Sequence, residues 1–359
     1  MQGAFHKTFQ KIHDKQIPKG DCLVNDYEIR RLFMKYKDFI ALIEGNFEKV
    51  KTYLGWSADK RIVIMMASYY TAKGKVFSPQ SFNEVIEAIK QQTKWYHTLR
   101  TSVNLQNSIA MLLDGKGDAT TLITDLLANE EVLKAAKFSR TQYSYIAASV
   151  FPKVEGNKAV IAENAQKLYK AIRKHHPFLT SNEDIPYVVL LSSGDDTSEV
   201  RAETMNRYYK ELRKFDFYIG NELQWLSQIL TFHSANYVEH LVPYVVEIRK
   251  QLQENGIKLK YMHYPLLGFL AVAGVKSDQI EELSQLYKEL SQIKQFRWYK
   301  DAILSVVVQK LLNDHVSINE SHEMSIVTSL EALIQAEQAM VITATMAAVV
   351  ASSSSSSSN

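Results

Sequence analysis

An internal repeat constrains the fold of this chain more strongly than any other feature of its sequence. A two-helix pattern recurs about every forty residues, and clear copies begin at Leu168, Arg207, Pro243 and Leu286. In each copy an amphipathic first helix precedes a more apolar second helix. Repeats of this length form helical hairpins that bury their apolar faces only by stacking on neighbouring hairpins. The sequence therefore predicts an all-α fold in which about seven hairpins form an open solenoid or a closed α/α toroid.

The composition also favours helices joined by short turns. Of 359 residues, 46% are hydrophobic and 23% are charged, which is ordinary for a folded soluble domain. Only 13 glycines and 7 prolines interrupt the chain, whereas sheets would need more turn residues. The formal charge of +3 is too small to indicate a nucleic-acid partner, and none is expected.

The chain divides into one predicted domain and two short flanking segments. Residues 1–20 are polar and end in a Pro and a Gly, which indicates a flexible N-terminal arm. Residues 21–351 contain the hairpins and are expected to form a single helical-repeat domain. Within it, residues 325–351 predict an apolar C-terminal helix that caps the last hairpin. The serine-rich residues 352–359 are expected to be a disordered tail.

Cysteine usage and hydropathy favour a cytoplasmic protein. Cys22 is the only cysteine, so the sequence offers neither an intramolecular disulfide nor a cysteine-based zinc site. The basic, polar N-terminus lacks the apolar core of a secretory signal. The longest apolar run spans residues 339–351 and is shorter than the ~20 residues that a membrane-spanning helix needs. We therefore expect no membrane span.

The sequence carries no specific catalytic, cofactor or metal-binding motif, so neither a cofactor nor a metal is expected. The densest polar cluster is the segment HHPFLTSNED, in which His176 could act as a general base or ligand beside Glu183 and Asp184. In the structural interpretation, which we favour, the two acids cap the second helix and interact with its dipole. A cap at either acid places Pro186 in the first helical turn, where its missing N–H costs no hydrogen bond.

The loops that join the two helices of each hairpin are the better candidates for a binding surface. Stacking places these equivalent loops in a row along one edge of the array. Their aromatic residues are Phe178, Phe217, Tyr218, Tyr261, Tyr264, Phe296, Trp298 and Tyr299. Protein-binding surfaces are enriched in such residues, which predicts a protein or peptide partner. The alternative is that these rings fill the gap between the paired helices.

Two strings of this sequence resemble a known family. KHHPFLTSNEDIPYVVLLS and GNELQWLSQILTF are similar to the best-defined blocks of the uncharacterised domain-of-unknown-function family number 4003, found mainly in Firmicutes. The resemblance extends, more weakly, from about residue 30 onward. It implies a bacterial, cytoplasmic protein. It implies no activity, since the family offers no catalytic residues that could be carried over to this chain.

Two kinds of function agree with these observations. The first is a non-enzymatic scaffold that binds a protein or peptide along its concave face or its row of connectors. The alternative is an α/α-toroid enzyme or a small-ligand sensor that uses acidic residues and His176 at the connector end. An open superhelix with a continuous aromatic groove would favour the scaffold. A closed ring with acids converging on a pocket would favour the alternative.

Overall fold

The computed structural model describes residues 22–151, 157–192, 197–316 and 332–343. All regular elements in these ranges are helical, with no strand among them, which confirms the predicted all-α class. The predicted N-terminal arm and serine-rich tail lie outside the described residues and stay predictions. None of the described helices is both long enough and apolar enough to cross a membrane.

The helices follow one another with short connections. They are α1 Cys22–Leu54, α2 Lys60–Ala72, α3 Pro79–Gln92, α4 Thr98–Thr101, α5 Val103–Leu113, α6 Ala119–Ala135, α7 Gln142–Val150, α8 Lys158–His175, α9 Ile185–Leu191, α10 Ser198–Arg213, α11 Asn221–Leu230, α12 Leu241–Glu254, α13 Tyr264–Val272, α14 Ser277–Gln292, α15 Lys300–Val316 and α16, residues 332–343. Short 3₁₀ turns, Asn182–Asp184 and Tyr261–His263, lead into α9 and α13.

These helices pack as a series of pairs. The contacting pairs are α1–α2, α3–α5, α6–α7, α8–α9, α10–α11, α12–α13 and α14–α15. The first helices of successive pairs contact one another from α1 to α3 and onward through α6, α8, α10, α12 and α14. The second helices do the same along α5, α7, α9, α11, α13 and α15. Two layers of helices result, with the apolar faces of both layers buried between them.

The last pair also contacts the first pair. Helix α15 packs against α2. In the other layer the Tyr36 hydroxyl of α1 donates a hydrogen bond to the Glu282 carbonyl of α14 at 3.1 Å. Phe47 of α1 packs edge-to-face on Phe296, in the connector of the last pair, with ring centroids 5.4 Å apart. Contacts therefore run from pair to pair along the chain and return from the last pair to the first.

Helix α16 lies among the second helices of several pairs. Ser108 of α5 donates a hydrogen bond to the Ala339 carbonyl at 3.1 Å, and Gln309 of α15 pairs with Gln338 through their side-chain amides. Most of its side chains are buried, including the polar Gln335, Gln338 and Thr343. The described part of this helix therefore contacts the last pair through Gln309 and also reaches α5, a contact that the sequence did not predict.

Helix boundaries follow local chemistry at most positions. Asp184 is the N-cap of α9 and Pro186 lies in its first turn, as predicted from the cost of an interior proline. Gly74, two residues beyond α2, adopts φ 63°, a left-handed conformation that suits glycine at a helix end. By contrast, α1 continues without a break through Gly45, although a glycine at this position predicts an interruption of the helix. The packing of α1 on α2 outweighs the roughly 1 kcal/mol that one interior glycine costs.

Candidate functional site

The seven connectors between paired helices lie at one end of the molecule. We call them the connector rim, which comprises residues 55–59, 93–97, 136–141, 176–184, 214–220, 255–263 and 293–299. Neighbouring pairs touch one another there. The Tyr143 hydroxyl, at the start of α7, donates to Glu183 at 2.8 Å, and the Tyr218 amide donates to the Tyr264 hydroxyl at 3.1 Å. The rim is thus a continuous edge.

Large aromatic side chains project from six of these seven connectors. They are Trp56, Trp95, Phe178, Tyr218, Tyr261 and Trp298, with 58–97% of their surface exposed. In the remaining connector the aromatic residue is Phe138, which is buried against Tyr169 with ring centroids 5.8 Å apart. Aromatic side chains gathered at one end of a protein mark an interaction surface more strongly than scattered ones do.

The binding residues predicted from the sequence divide into two groups. Phe178, Tyr218, Tyr261 and Trp298 are exposed on the rim, whereas Phe217, Tyr264 and Phe296 are buried and Tyr299 is half-buried. The buried rings fill the gap between helices: Phe217 packs on Tyr264 with centroids 4.8 Å apart.

Sequence reasoning missed the exposed Trp56 and Trp95. These residues lie in the two N-terminal pairs, where the repeat is too weak to align. The available signal was a Trp in a short polar loop, which for Trp95 also follows a Lys.

The connector rim is basic. Its basic residues are Lys94, Lys137, Arg140, Lys214, Lys258, Lys260, Lys294 and Arg297, against the acidic residues Asp59, Glu183, Asp184 and Asp216. Lys94, Lys137, Lys258, Lys294 and Arg297 form no ion pair with any described residue. Two of these cations lie over exposed rings, Lys94 5.9 Å from the Tyr96 centroid and Arg297 5.1 Å from that of Trp298. The rim therefore presents aromatic rings beside positive charges.

A cleft of about 380 Å³ opens between the third and fourth connectors. Lys137 and Arg173 line it, together with the polar side chains of Gln166, Ser181 and Asn182. No acidic side chain is among the described residues that line this cleft. It extends the positive charge of the rim into the one connector that lacks an exposed aromatic residue.

The three residues predicted as catalytic candidates point to three different helices. His176 packs against Tyr209 of α10, with ring centroids 4.5 Å apart, and burial lowers its pKa to about 4. Glu183 accepts the hydrogen bond from Tyr143 at the start of α7. Asp184 accepts hydrogen bonds from Gln224 and Gln228 of α11. The structure therefore does not bring these side chains together into one catalytic group.

Asp184 serves the fold. One carboxylate oxygen accepts from the Gln224 and Gln228 amides at 2.8 and 2.7 Å, and the other accepts from the Ser181 N–H at 2.8 Å. Burial raises its pKa to about 6, and these three hydrogen bonds oppose the rise. The carboxyl group thus ties the start of α9 to α11.

A second polar cluster, which sequence reasoning missed, lies inside the molecule. Tyr187 of α9 stacks on Trp225 of α11, with centroids 6.0 Å apart and planes inclined by 8°. Glu337 of α16 lies beside the Tyr187 hydroxyl, and burial raises the pKa of this carboxyl to about 8. Its signal in the sequence is one acidic residue, beside Gln335 and Gln338, within a mainly apolar helix. The described residues contain no group of three or more side chains suited to hold a metal ion.

The fold and the rim define an all-α protein of paired helices with an aromatic, basic edge and no assembled catalytic group among its described residues. The chain belongs to the family described as protein of unknown function (DUF4003), whose sequence profile matches residues 46–339. It is also similar to the uncharacterized protein YeaA of Bacillus subtilis (strain 168), with 26% identity over 324 residues, covering 87% of this chain and 94% of YeaA. No solved structure matches this chain significantly.

Proposed function

We propose that this protein is a scaffold that holds an acidic protein partner on its connector rim. One observation carries the proposal: six of seven connectors at the same end each expose a large aromatic side chain. Water-exposed aromatic rings cost free energy that a partner recovers by covering them, and Trp and Tyr dominate binding energy at protein interfaces. The proposal places the protein in the cytoplasm, in keeping with its single cysteine.

The positive charge of the rim favours an acidic partner. Lys94, Lys258 and Lys294 have no ion pair among the described residues, and Lys137 and Arg173 line a cleft without a described acid. An acidic surface or peptide would neutralise these charges, and complementary charge raises the rate and the specificity of association. We do not expect nucleic acid to be the partner, because the whole chain carries a formal charge of only +3.

The contacts support a closed α/α toroid as the architecture of this scaffold. Helix α15 packs on α2, which joins the last pair to the first. Hydrogen bonds between residues 40 apart, Tyr143 with Glu183 and Gln224 with Asp184, support a forty-residue repeat. Closure would give the rim the form of a ring around one end of the molecule.

The enzyme alternative requires acids that converge on a pocket. His176, Glu183 and Asp184 instead contact α10, α7 and α11. The closed arrangement alone does not favour catalysis, so the scaffold is the function that the geometry supports best.

Site-specific photo-crosslinking in cells of the source organism tests the proposal. A benzophenone amino acid would replace Phe178 or Trp298 on the rim, and Val76, which is exposed in the connector between α2 and α3, would serve as the control. We expect the two rim positions to capture the same protein, with an acidic surface, and the Val76 position not to capture it. Equal capture at all three positions, adducts with lipid or nucleic acid, or no adduct at the rim would contradict the proposal.

A further inference from the structure

Five polar atoms inside the molecule form no hydrogen bond with the described residues. They are the Tyr187 hydroxyl, Gln224 Oε1, Trp225 Nε1, Gln228 Oε1 and Glu337 Oε2. Folded proteins pair the great majority of their buried polar atoms, so a group of unpaired ones requires an explanation. Here the five atoms belong to three adjoining elements, α9, α11 and α16.

These side chains are neighbours. Tyr187 stacks on Trp225, and Gln224 and Gln228 both donate to Asp184, one turn before Tyr187. Glu337 joins them from α16. The Tyr187 hydroxyl lies close enough to the Glu337 carboxyl to lower its pKa, against the larger increase that burial causes. The Glu337 and Tyr187 oxygens nevertheless lack a hydrogen bond of ordinary geometry, so each retains the capacity to bind another molecule.

The unpaired atoms are mainly acceptors. Gln224 Oε1 and Gln228 Oε1 can only accept hydrogen bonds, and Trp225 Nε1 can only donate. The Tyr187 hydroxyl and the protonated Glu337 carboxyl can do both, and the ionised carboxylate only accepts. No Lys, Arg or His of the described residues is among the groups that act on the carboxyls of Glu337 or Asp184. A buried carboxyl without a countercharge is costly in its ionised form.

One side of the cluster is open. Glu337 lies deep in the molecule, yet its side chain is only half-buried, as is Trp225. Val341, one turn further along the same face of α16, is 42% exposed. A small molecule can therefore approach the accessible surface of Glu337 and Trp225 from this side.

We propose that Tyr187, Trp225 and Glu337, with the amide oxygens of Gln224 and Gln228, form an internal binding site for a small organic cation with an ammonium or guanidinium group. Such a ligand supplies the missing positive charge and several hydrogen-bond donors. Its cationic group also gains from the faces of Tyr187 and Trp225, which attract cations electrostatically. This site is independent of the connector rim, so either proposal can fail without the other.

Titration calorimetry on the full-length protein, with putrescine, agmatine and choline chloride as probes at matched ionic strength, tests this site. We expect at least one probe to bind at a single site, and Glu337→Gln to weaken that binding at least tenfold, since the amide cannot ionise opposite a bound cation and keeps the shape of the side chain. Glu183→Gln is the matched control, because Glu183 lies on the same chain segment as Tyr187 but bonds to Tyr143 outside the cluster. It should bind the probe as the native protein does.

A second variant distinguishes the loss of the binding site from a folding defect. Trp225→Leu removes the aromatic face from a different helix and should also weaken binding severalfold, while circular dichroism confirms that the helices remain. The proposal is overturned where the native protein binds none of the three probes, which would leave ordered water as the partner of these atoms. It is equally overturned where both variants bind a probe as tightly as the native protein does.

Discussion

At the scale of single residues, buried titratable groups determine how stability responds to pH. Burial raises the pKa of Glu337 to about 8 and of Asp184 to about 6, and lowers that of His176 and His263 to about 4. Near pH 6, Glu337 and the two histidines are therefore mainly neutral in the native state, whereas Asp184 is about half ionised. Because the unfolded chain ionises the same groups at ordinary values, stability should change on both sides of neutrality.

Glu337 should destabilise the native state as the pH rises. The native carboxyl keeps its proton up to about pH 8, whereas the unfolded one loses it near 4.5, so the stabilising contribution is present below 4.5 and is lost as pH rises through about 8. Urea unfolding at pH 6 and pH 9 measures this loss, which we expect to exceed about 1 kcal/mol. Glu337→Gln should reduce it, and an identical loss in both proteins would show that Glu337 does not cause it.

His176 should act in the opposite direction. Its native pKa lies near 4 and its unfolded value near 6.5, so the unfolded state takes up the proton first and stability is lost as pH falls from 6.5 to 4. Replacing His176 by Gln should reduce the acid-induced loss of unfolding free energy by about 1 kcal/mol. The neighbouring exposed His175 provides the control, and a His175→Gln variant that changes the acid response equally would argue against this explanation.

At the scale of elements, the start of α9 shows how caps and packing combine. Ser181 and Asp184 form a reciprocal capping box, and the same Asp184 carboxylate accepts from two glutamines of α11. A cap alone contributes about 1 kcal/mol. A carboxylate that also satisfies two buried amides contributes more, because its loss leaves those amides without a partner.

Replacement of Asp184 by Ala should therefore lower the free energy of unfolding by roughly 2–4 kcal/mol, more than the loss of an N-cap alone. Glu183→Ala removes the adjacent acid and only one partly buried hydrogen bond, so its effect should stay near 1 kcal/mol. Chemical denaturation of the two variants measures the difference. Equal effects would mean that the bonds to Gln224 and Gln228 do not stabilise the protein.

The sequence predicted individual helices better than it predicted their arrangement. The all-α class followed from apolar periodicity and from the scarcity of glycine and proline, and the start of α9 followed from Pro186, since these signals depend on nearby residues. The position of α16 did not follow, because its partners, Ser108 and Gln309, are far away in the sequence and meet it only through tertiary packing. The same limit concealed Glu337, Tyr187 and Trp225, which belong to separate elements and meet only through tertiary packing.

At the scale of the whole molecule, α16 joins distant parts of the fold. It contacts Ser108 of α5 and Gln309 of α15, and its Glu337 lies beside Tyr187 of α9. A chain that ends before this helix would leave buried apolar surface and several polar groups uncovered. The contact of α15 with α2 could not be predicted from the sequence either, because packing geometry summed over all pairs determines where the last pair lies.

Truncation tests the contribution of α16. Removing residues 332–359 should lower the melting temperature by more than 10 °C or cause aggregation, because the second helices lose the buried surface that α16 covers. Removing residues 352–359 alone should leave the melting temperature unchanged. A longer truncation that melts as the full chain does would refute the interior position of α16.

The affinity of the captured partner is the measurement that tests the scaffold most directly. A variant with Trp56, Phe178 and Trp298 changed to Ser would be compared with the native protein and with a Val76→Ser control in a direct binding assay. We predict that the rim variant binds at least a hundredfold more weakly while melting as the native protein does, that the control is unaffected, and that added salt weakens native binding. Unchanged affinity in the rim variant would contradict the assignment of the connector rim as the binding surface.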